Sequence, residues 1–357
     1  MFGLFTNHIA NLATTARTLG LSHDGSHGLS GERQGISVGV RLWSQRSGDN
    51  TNYYTTVHAS HPVPLRMSLT VSREGAVGRF VRSALGGQDI TTGHADFDSQ
   101  FQVRALDPRR ALALMNQPAV RDAMLTVLGA RRNNLTVSDV SSSITIGSWH
   151  SDVEELRGML NSTFPVAVAI RDARGAIPPS EVELRARESL SGAAAATGLS
   201  FDAQQLSVTG PRGRQVLTLR ANYQTDGGWE TEFEARFPQS LNVGLRLLPQ
   251  RGVFSAIGDF FGTQDIEVGH TGFDAAFKVK GQPEDKVREL LSGDVASRIF
   301  ALNNVASELV VGDEGVRAVA AGLMDDTPSL VKSLGVVDAL ASAISERAWG
   351  SVAAPYR

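Results

Sequence analysis

The chain has 357 residues, 41% of them apolar, and no cysteine. Those totals exclude disulfides, thiolate catalysis and cysteine metal sites, and they fit a reducing, cytoplasmic compartment. No run of about 18 apolar residues exists, so a membrane-spanning helix is excluded, and a net charge of −3 argues against nucleic-acid binding through a broad basic face.

Phe2, Phe5, Ile9, Leu12, Ala16 and Leu19 recur at spacings of three and four, which predicts an amphipathic helix over residues 2–19. The segment lacks the cationic start and unbroken apolar run of a secretory signal. Arg17 is its one Lys or Arg, so docking on its own domain is favoured over membrane contact through residues 1–18. Gly20–Gly31 reads as loop or irregular edge strand. Ile36, Val38, Val40 and Leu42 alternate with other residues as in a half-buried strand, and Ser47–Asn50 is a turn. Tyr53, Thr55, Val57 and Ala59 form the return strand, and Leu65, Met67, Leu69 and Val71 the next one. Gly75–Gly87 reads as loop with a short apolar piece. Phe97, Ser99, Phe101 and Val103 read as one face of a further strand. Pro108 opens a helix to about Leu128 with a break near Pro118. Leu135–Val140 and Ile144–Gly147 make a hairpin, and Asp152 starts a helix that Pro165 kinks or ends.

From Ser180 the order repeats. Ser180 and Glu183 form a capping box. Trp229, Thr231, Phe233 and Ala235 lie 176 positions after Tyr53, Thr55, Val57 and Ala59. Gln264–Val279 matches Gln88–Val103 at nine of sixteen positions without a gap. Pro283 opens a helix through Leu302, Leu309–Val311 and Val316–Gly322 form a hairpin, and Thr327-Pro328 caps a last helix. The expectation is an α+β fold of two tandem homologous modules, each a curved antiparallel sheet with helices on one face. The boundaries are 1–172 for the first module, 173–180 for a linker, 181–347 for the second module and 348–357 for a tail.

The repeated stretch carries the first candidate chemistry. His94 with Asp96 or Asp98 would make an acid–base pair or a metal half-site. The competing reading is a turn whose aspartate accepts backbone N–H groups, with Gly93 supplying an unusual φ. Duplication favours that structural role for Gly93, Phe97, Asp98 and Phe101, and for Gly269, His270, Phe273, Asp274 and Phe277. Asp96 becomes Gly272, so any site using it exists once. Seven of eight histidines lie in the first half, and His23, His27, His58 and His61 would bind a metal if their loops converged. No glycine-rich phosphate loop or nucleophile elbow is present, and no cofactor is expected. Arg109, Arg110, Arg121, Arg131 and Arg132 make the first long helix basic, opposite Glu284, Asp285 and Glu289 in its counterpart.

The Gly-His-x-x-Phe-Asp element at Gly93, Phe97, Asp98, Phe101 and Val103, and again at Gly269, Phe273, Asp274, Phe277 and Val279, resembles a domain-of-unknown-function family of bacterial proteins. That family's pattern has an acid where His94 and His270 stand. The resemblance implies a bacterial origin and a fold, and no mechanism. The residues themselves favour a non-enzymatic binding, scaffold or self-assembling protein that acts on a protein partner or on itself through its surfaces or a sheet–helix cleft. The alternative is a metal-dependent or acid–base hydrolase-like enzyme with its site in the first repeat.

Overall fold

The computed structural model describes residues 2–48, 50–73, 88–127, 134–224, 226–249 and 265–350, without the side chains of residues 2–10, 88, 248 and 249. The apolar piece expected within 75–87, the helix end near Leu128 and the chain beyond Gly350 lie outside these residues. The chain forms two compact units, one running to Pro179 and including the Gln224–Gly227 turn, the other made of Ser180–Tyr223 and the chain from Gly228.

In the first unit α1 (Phe2–Leu19) leads into β1 (Ser22–His23), β2 (Gly28–Arg33), β3 (Ile36–Ser47), β4 (Asn50–Ser60), β5 (Thr70–Arg73) and β6 (Gln88–Ile90). Then come α2 (Ala95–Asp98), β7 (Phe101–Ala105), α3 (Pro108–Met115), α4 (Pro118–Val127), β8 (Leu135–Ser138), β9 (Ser141–Gly147) and α5 (Val153–Ala173). The second unit runs α6 (Glu181–Thr197), β10 (Ser200–Asp202), β11 (Ser207–Arg212), β12 (Gln215–Tyr223), β13 (Trp229–Arg236) and β14 (Arg246–Pro249). It closes with α7 (Thr271–Ala276), β15 (Phe277–Lys280), α8 (Glu284–Leu291), α9 (Asp294–Asn303), β16 (Glu308–Gly312), β17 (Gly315–Ala321) and α10 (Thr327–Trp349).

Each unit is α+β with one antiparallel sheet. The order is β1-β2-β3-β4-β9-β8-β5-β7-β6 in the first and β10-β11-β12-β13-β17-β16-β14-β15 in the second. Strand for strand, the two orders are the same apart from β6, and near that place Val279 O accepts from Ile266 N–H at 3.1 Å and Val279 N–H donates to Asp265 Oδ1 at 2.8 Å. The simple meander ends at β4. The late hairpin partner β9 pairs beside it, Val57 opposite Ile144, and β5 sits between β8 and β7.

The helices α5 and α10 lie across β3, β4 and β9 and across β12, β13 and β17, respectively. Val38, Val40, Leu42, Val57 and Ile144 thereby join Leu156, Leu160 and Val166 in one core, and Leu217, Leu219, Phe233 and Val316 join Leu334, Val337 and Ala341 in another. Burial of each such side chain stabilises its unit by about 1.5–3 kcal/mol. Thr55 and Thr231 are buried in both units with the same bonds: Thr55 Oγ1 donates to Ser148 O and accepts from His150 N–H, and Thr231 Oγ1 donates to Gly322 O and accepts from Met324 N–H. Among the described residues no helix is long and apolar enough to cross a membrane.

Several local expectations are corrected. Leu65, Met67 and Leu69 are buried but not in a strand, because Arg66 (φ 56°) and Ser68 (φ 51°) adopt left-handed conformations and β5 starts only at Thr70. Phe97 and Ser99 do not belong to a strand: Phe97 is on the helical turn α2, Ser99 caps it, and Phe97 stacks on Phe101 with ring centroids 5.0 Å apart. Phe273 and Phe277 repeat that contact at 5.0 Å. α5 runs unbroken past the exposed Pro165. The expected linker begins as a 3-10 turn, Arg174–Ala176, and Ile177 is buried in the first core, so the division falls at Pro179. The second long helix is broken at Gly293 (φ 60°) into α8 and α9, and Asp326 rather than Thr327 caps α10. That helix continues to Trp349, whose ring meets Phe237, so 348 and 349 are not tail.

Candidate functional site

The repeated turn is built around its aspartate. Gly93 takes φ 81°, and Asp98 reaches back from α2 to the loop it follows. Asp98 Oδ1 accepts from Thr92 N–H at 3.0 Å and Thr92 Oγ1 at 2.8 Å, and Oδ2 accepts from Gly93 N–H at 3.0 Å. Asp274 accepts from Val268 N–H and Gly269 N–H, both at 3.0 Å, with Gly269 at φ 82°. Burial raises the Asp98 pKa, but the Thr92 and Gly93 bonds outweigh it and hold the carboxyl below its ordinary range. His94 Nε2 turns to Asn116 Oδ1 at 3.4 Å, whereas His270 Nδ1 caps α7 by accepting Phe273 N–H at 3.0 Å. Asp96 is exposed. The carboxylate and imidazole thus point to different partners.

The four histidines considered as metal ligands do not converge. His23 Nε2 lies 3.3 Å from Ser26 O, and the His27 ring rests on Trp149 at 5.1 Å. His58 extends over Gly39, where a Cβ would stand 2.7 Å from its Cε1. His61 is buried, with Nδ1 3.3 Å from Asp139 O and Nε2 3.1 Å from Ser142 Oγ. The reason is topological: His27 precedes β2, and β3 lies between β2 and β4, which puts the β2 edge and the strand of His58 two spacings, about 10 Å, apart. His58 and His61 also leave opposite faces of the sheet. Among the described residues no three His, Cys, Asp or Glu side chains are placed to hold a metal ion. Desolvation pushes His61 down to about 4, against a raising contribution from Asp139 O, so the ring is neutral near pH 7.

Two polar devices escaped the sequence reading. Asp139, in the β8–β9 turn, accepts from Met67, Ser68 and Leu69 N–H at 3.1, 2.8 and 2.9 Å. Asp313, in the β16–β17 turn, accepts from Gly244 and Leu245 N–H at 2.8 Å each. These carboxylates hold the left-handed loops that precede β14 and replace the expected start of β5. The readable signal was an aspartate at the turn of both late hairpins. Burial raises the Asp139 pKa against the lowering by those amides and Arg110. Arg110, 2% exposed, donates to Leu65 O, Arg66 O and Pro178 O. The basic helix face therefore dissolves: Arg110 is interior, Arg121 donates to Met115 O at 2.6 Å, and Arg131 and Arg132 lie outside the described residues.

The sheet faces turned away from the helices differ most between units. On the first, Arg41, Thr56 and Thr145 stand in register, as do Trp43 and Tyr54. Trp43 Nε1 donates to Thr56 Oγ1 at 3.0 Å, Thr56 and Thr145 hydroxyls are 2.8 Å apart, and the Trp43 and Tyr54 rings stack at 4.5 Å. On the second, Glu232 and Glu234 occupy the places of Thr56 and His58. Glu232 bridges Arg220 at 3.1 Å and Arg317 at 2.9 Å, Arg317 reaches Glu308 at 2.8 Å, and Arg236 reaches Glu234 at 2.7 Å.

No protein-family model and no curated protein matches the chain. Among solved structures, that of the mycobacterial trehalose monomycolate transport factor A, TtfA, aligns over 48% of this chain and 97% of its own at 11% identity, with a TM-score of 0.31. A likeness at that level carries no argument about this chain.

Proposed function

We propose that this chain is a non-enzymatic binding or scaffold protein, built by internal duplication, that engages a protein partner or further copies of itself through the outer faces of its sheets. One contrast carries this reading. Inward positions such as Thr55 and Thr231 or Phe97 and Phe273 keep their chemistry from unit to unit, with the buried His61–Ser142 pair, replaced by Phe237 and Val316, as an exception, while outward positions change from hydroxyl and aromatic residues to an ion-pair lattice. Shared inward chemistry serves folding, and divergent exposed chemistry is where recognition differs. The acid–base candidates support it too, since Asp98 is spent on the turn it stabilises. A bacterial cytoplasmic setting belongs to the proposal, supported by the cysteine-free composition and the family resemblance of the repeated turn.

The test is purification of the untagged chain from its native cells without chelator, followed by elemental analysis and mass determination in solution. The expected outcome is no stoichiometric metal and a complex heavier than one 38.1 kDa chain. One metal per chain, with a hydrolytic activity that His94→Ala abolishes at unchanged melting temperature, would sink this reading in favour of the enzyme.

A further inference from the structure

Arg41 and Arg220 occupy matching places, each opposite the equivalent residue of the neighbouring strand: Thr56 in the first unit, Glu232 in the second. Arg220 is neutralised within its own sheet by Glu232 at 3.1 Å and Glu234 at 3.8 Å. Arg41 is exposed, and the two positions that neutralise its counterpart hold Thr56 and His58, which carry no negative charge. Arg41 makes no ion pair among the described residues. Burial lowers the pKa of His58, and the charge of Arg41 adds to that lowering. The neighbouring carboxylate is Asp24, lying over Gly28; its Oδ1 accepts Ser26 N–H, Ser26 Oγ and Gly28 N–H at 2.7, 2.9 and 3.1 Å. A guanidinium is a fixed fork of donors suited to carboxylates.

From this we infer that the outer face of the first sheet around Arg41, with Trp43, Thr56 and His58 beside it, docks an acidic extended segment of a partner protein. The segment brings in trans the alternating carboxylates that Glu232 and Glu234 supply in cis to Arg220. Charge complementarity decides the occupant, and the second unit displays the chemistry of the filled arrangement. This inference rests on the binding reading above and deepens it by naming one surface and the class of partner.

The probe is a fluorescently labelled peptide of this chain's own residues 230–236, Glu-Thr-Glu-Phe-Glu-Ala-Arg, which carries the two carboxylates at their alternate spacing. It is titrated with the full chain by anisotropy at low ionic strength. The expected results are binding that weakens as salt rises, a loss of about three- to fivefold in Arg41→Ala, and loss beyond about tenfold in Arg41→Glu. Asp24→Asn, which keeps the Oδ1 acceptor and removes a competing charge, tightens binding. Circular dichroism confirms that the variants fold. Undiminished binding in Arg41→Glu, equal binding of the peptide with glutamine at all three glutamates, or no binding at low salt would each overturn the inference. A heavier native complex that Arg41→Glu leaves intact would sink this face alone and leave the broader proposal standing.

Discussion

Asp139 and Asp313 show how one carboxylate organises a loop that carries no regular secondary structure. Removing Asp139 leaves three amides without their acceptor, all at buried residues, Met67, Ser68 and Leu69. Asp139→Ala is therefore expected to destabilise the first unit by about 2–4 kcal/mol, read by urea unfolding, while Asp96→Ala at an exposed position changes it by less than about 0.5 kcal/mol. His61 gives a pH dependence with a definite sign. Its folded pKa of about 4 lies below the ordinary value of 6.5, so the unfolded chain binds the proton first. The stability of the neutral buried ring is present above pH 6.5 and is lost as pH falls toward 4, amounting to about 3 kcal/mol. Asp139, with its raised pKa, has the opposite sign: its contribution is present at low pH and fades as pH rises through the carboxylate range. The second unit holds Phe237 and Val316 where the first holds His61 and Ser142. The double variant His61→Phe/Ser142→Val should then remove most of the loss between pH 6.5 and 4, while His61→Phe alone leaves Ser142 Oγ unpaired and costs about 1–3 kcal/mol at pH 7. Hydrogen exchange resolved by peptide tells the units apart.

At the scale of elements, period and caps were legible where a segment's own residues decide its conformation. The Ser180–Glu183 capping box, the Asp152 cap and the break before Pro118 all follow from local hydrogen bonding and proline's missing N–H. Reading failed where a distant group overrides local pattern. Leu65, Met67 and Leu69 alternate like a strand, yet the Asp139 carboxylate stabilises a left-handed path that the alternation cannot reveal. Phe97 and Phe101 are four apart, a spacing that a helical turn followed by a strand buries as well as a continuous strand does. Pro165 is a third case: packing of Leu160, Val166 and Ala167 on the sheet carries α5 past it. Proline there forfeits one backbone bond, so Pro165→Ala is expected to raise the first unit's stability by about 1–3 kcal/mol, measured as a shift in denaturant midpoint.

At the scale of the whole molecule, each unit closes its own core, and the two clusters share no residue. A fragment ending at Pro179 is expected to fold by itself, with a cooperative thermal transition and protected amides in β3, β4 and β9; a featureless melt would contradict that. The sequence by itself determined the α+β class, the matching order of elements in two halves, and the inward residues Ile36, Val38, Val40 and Leu42 of β3, because period and repetition are local properties written residue by residue. Only the tertiary structure decided that β9 pairs beside β4, that the candidate histidines are turned to separate partners, and that Asp139 and Arg110 hold loops from afar. Those outcomes depend on pairings between residues some 40 to 90 positions apart. No local pattern encodes such closure; it is settled by which strands can bury their apolar faces against the same helix.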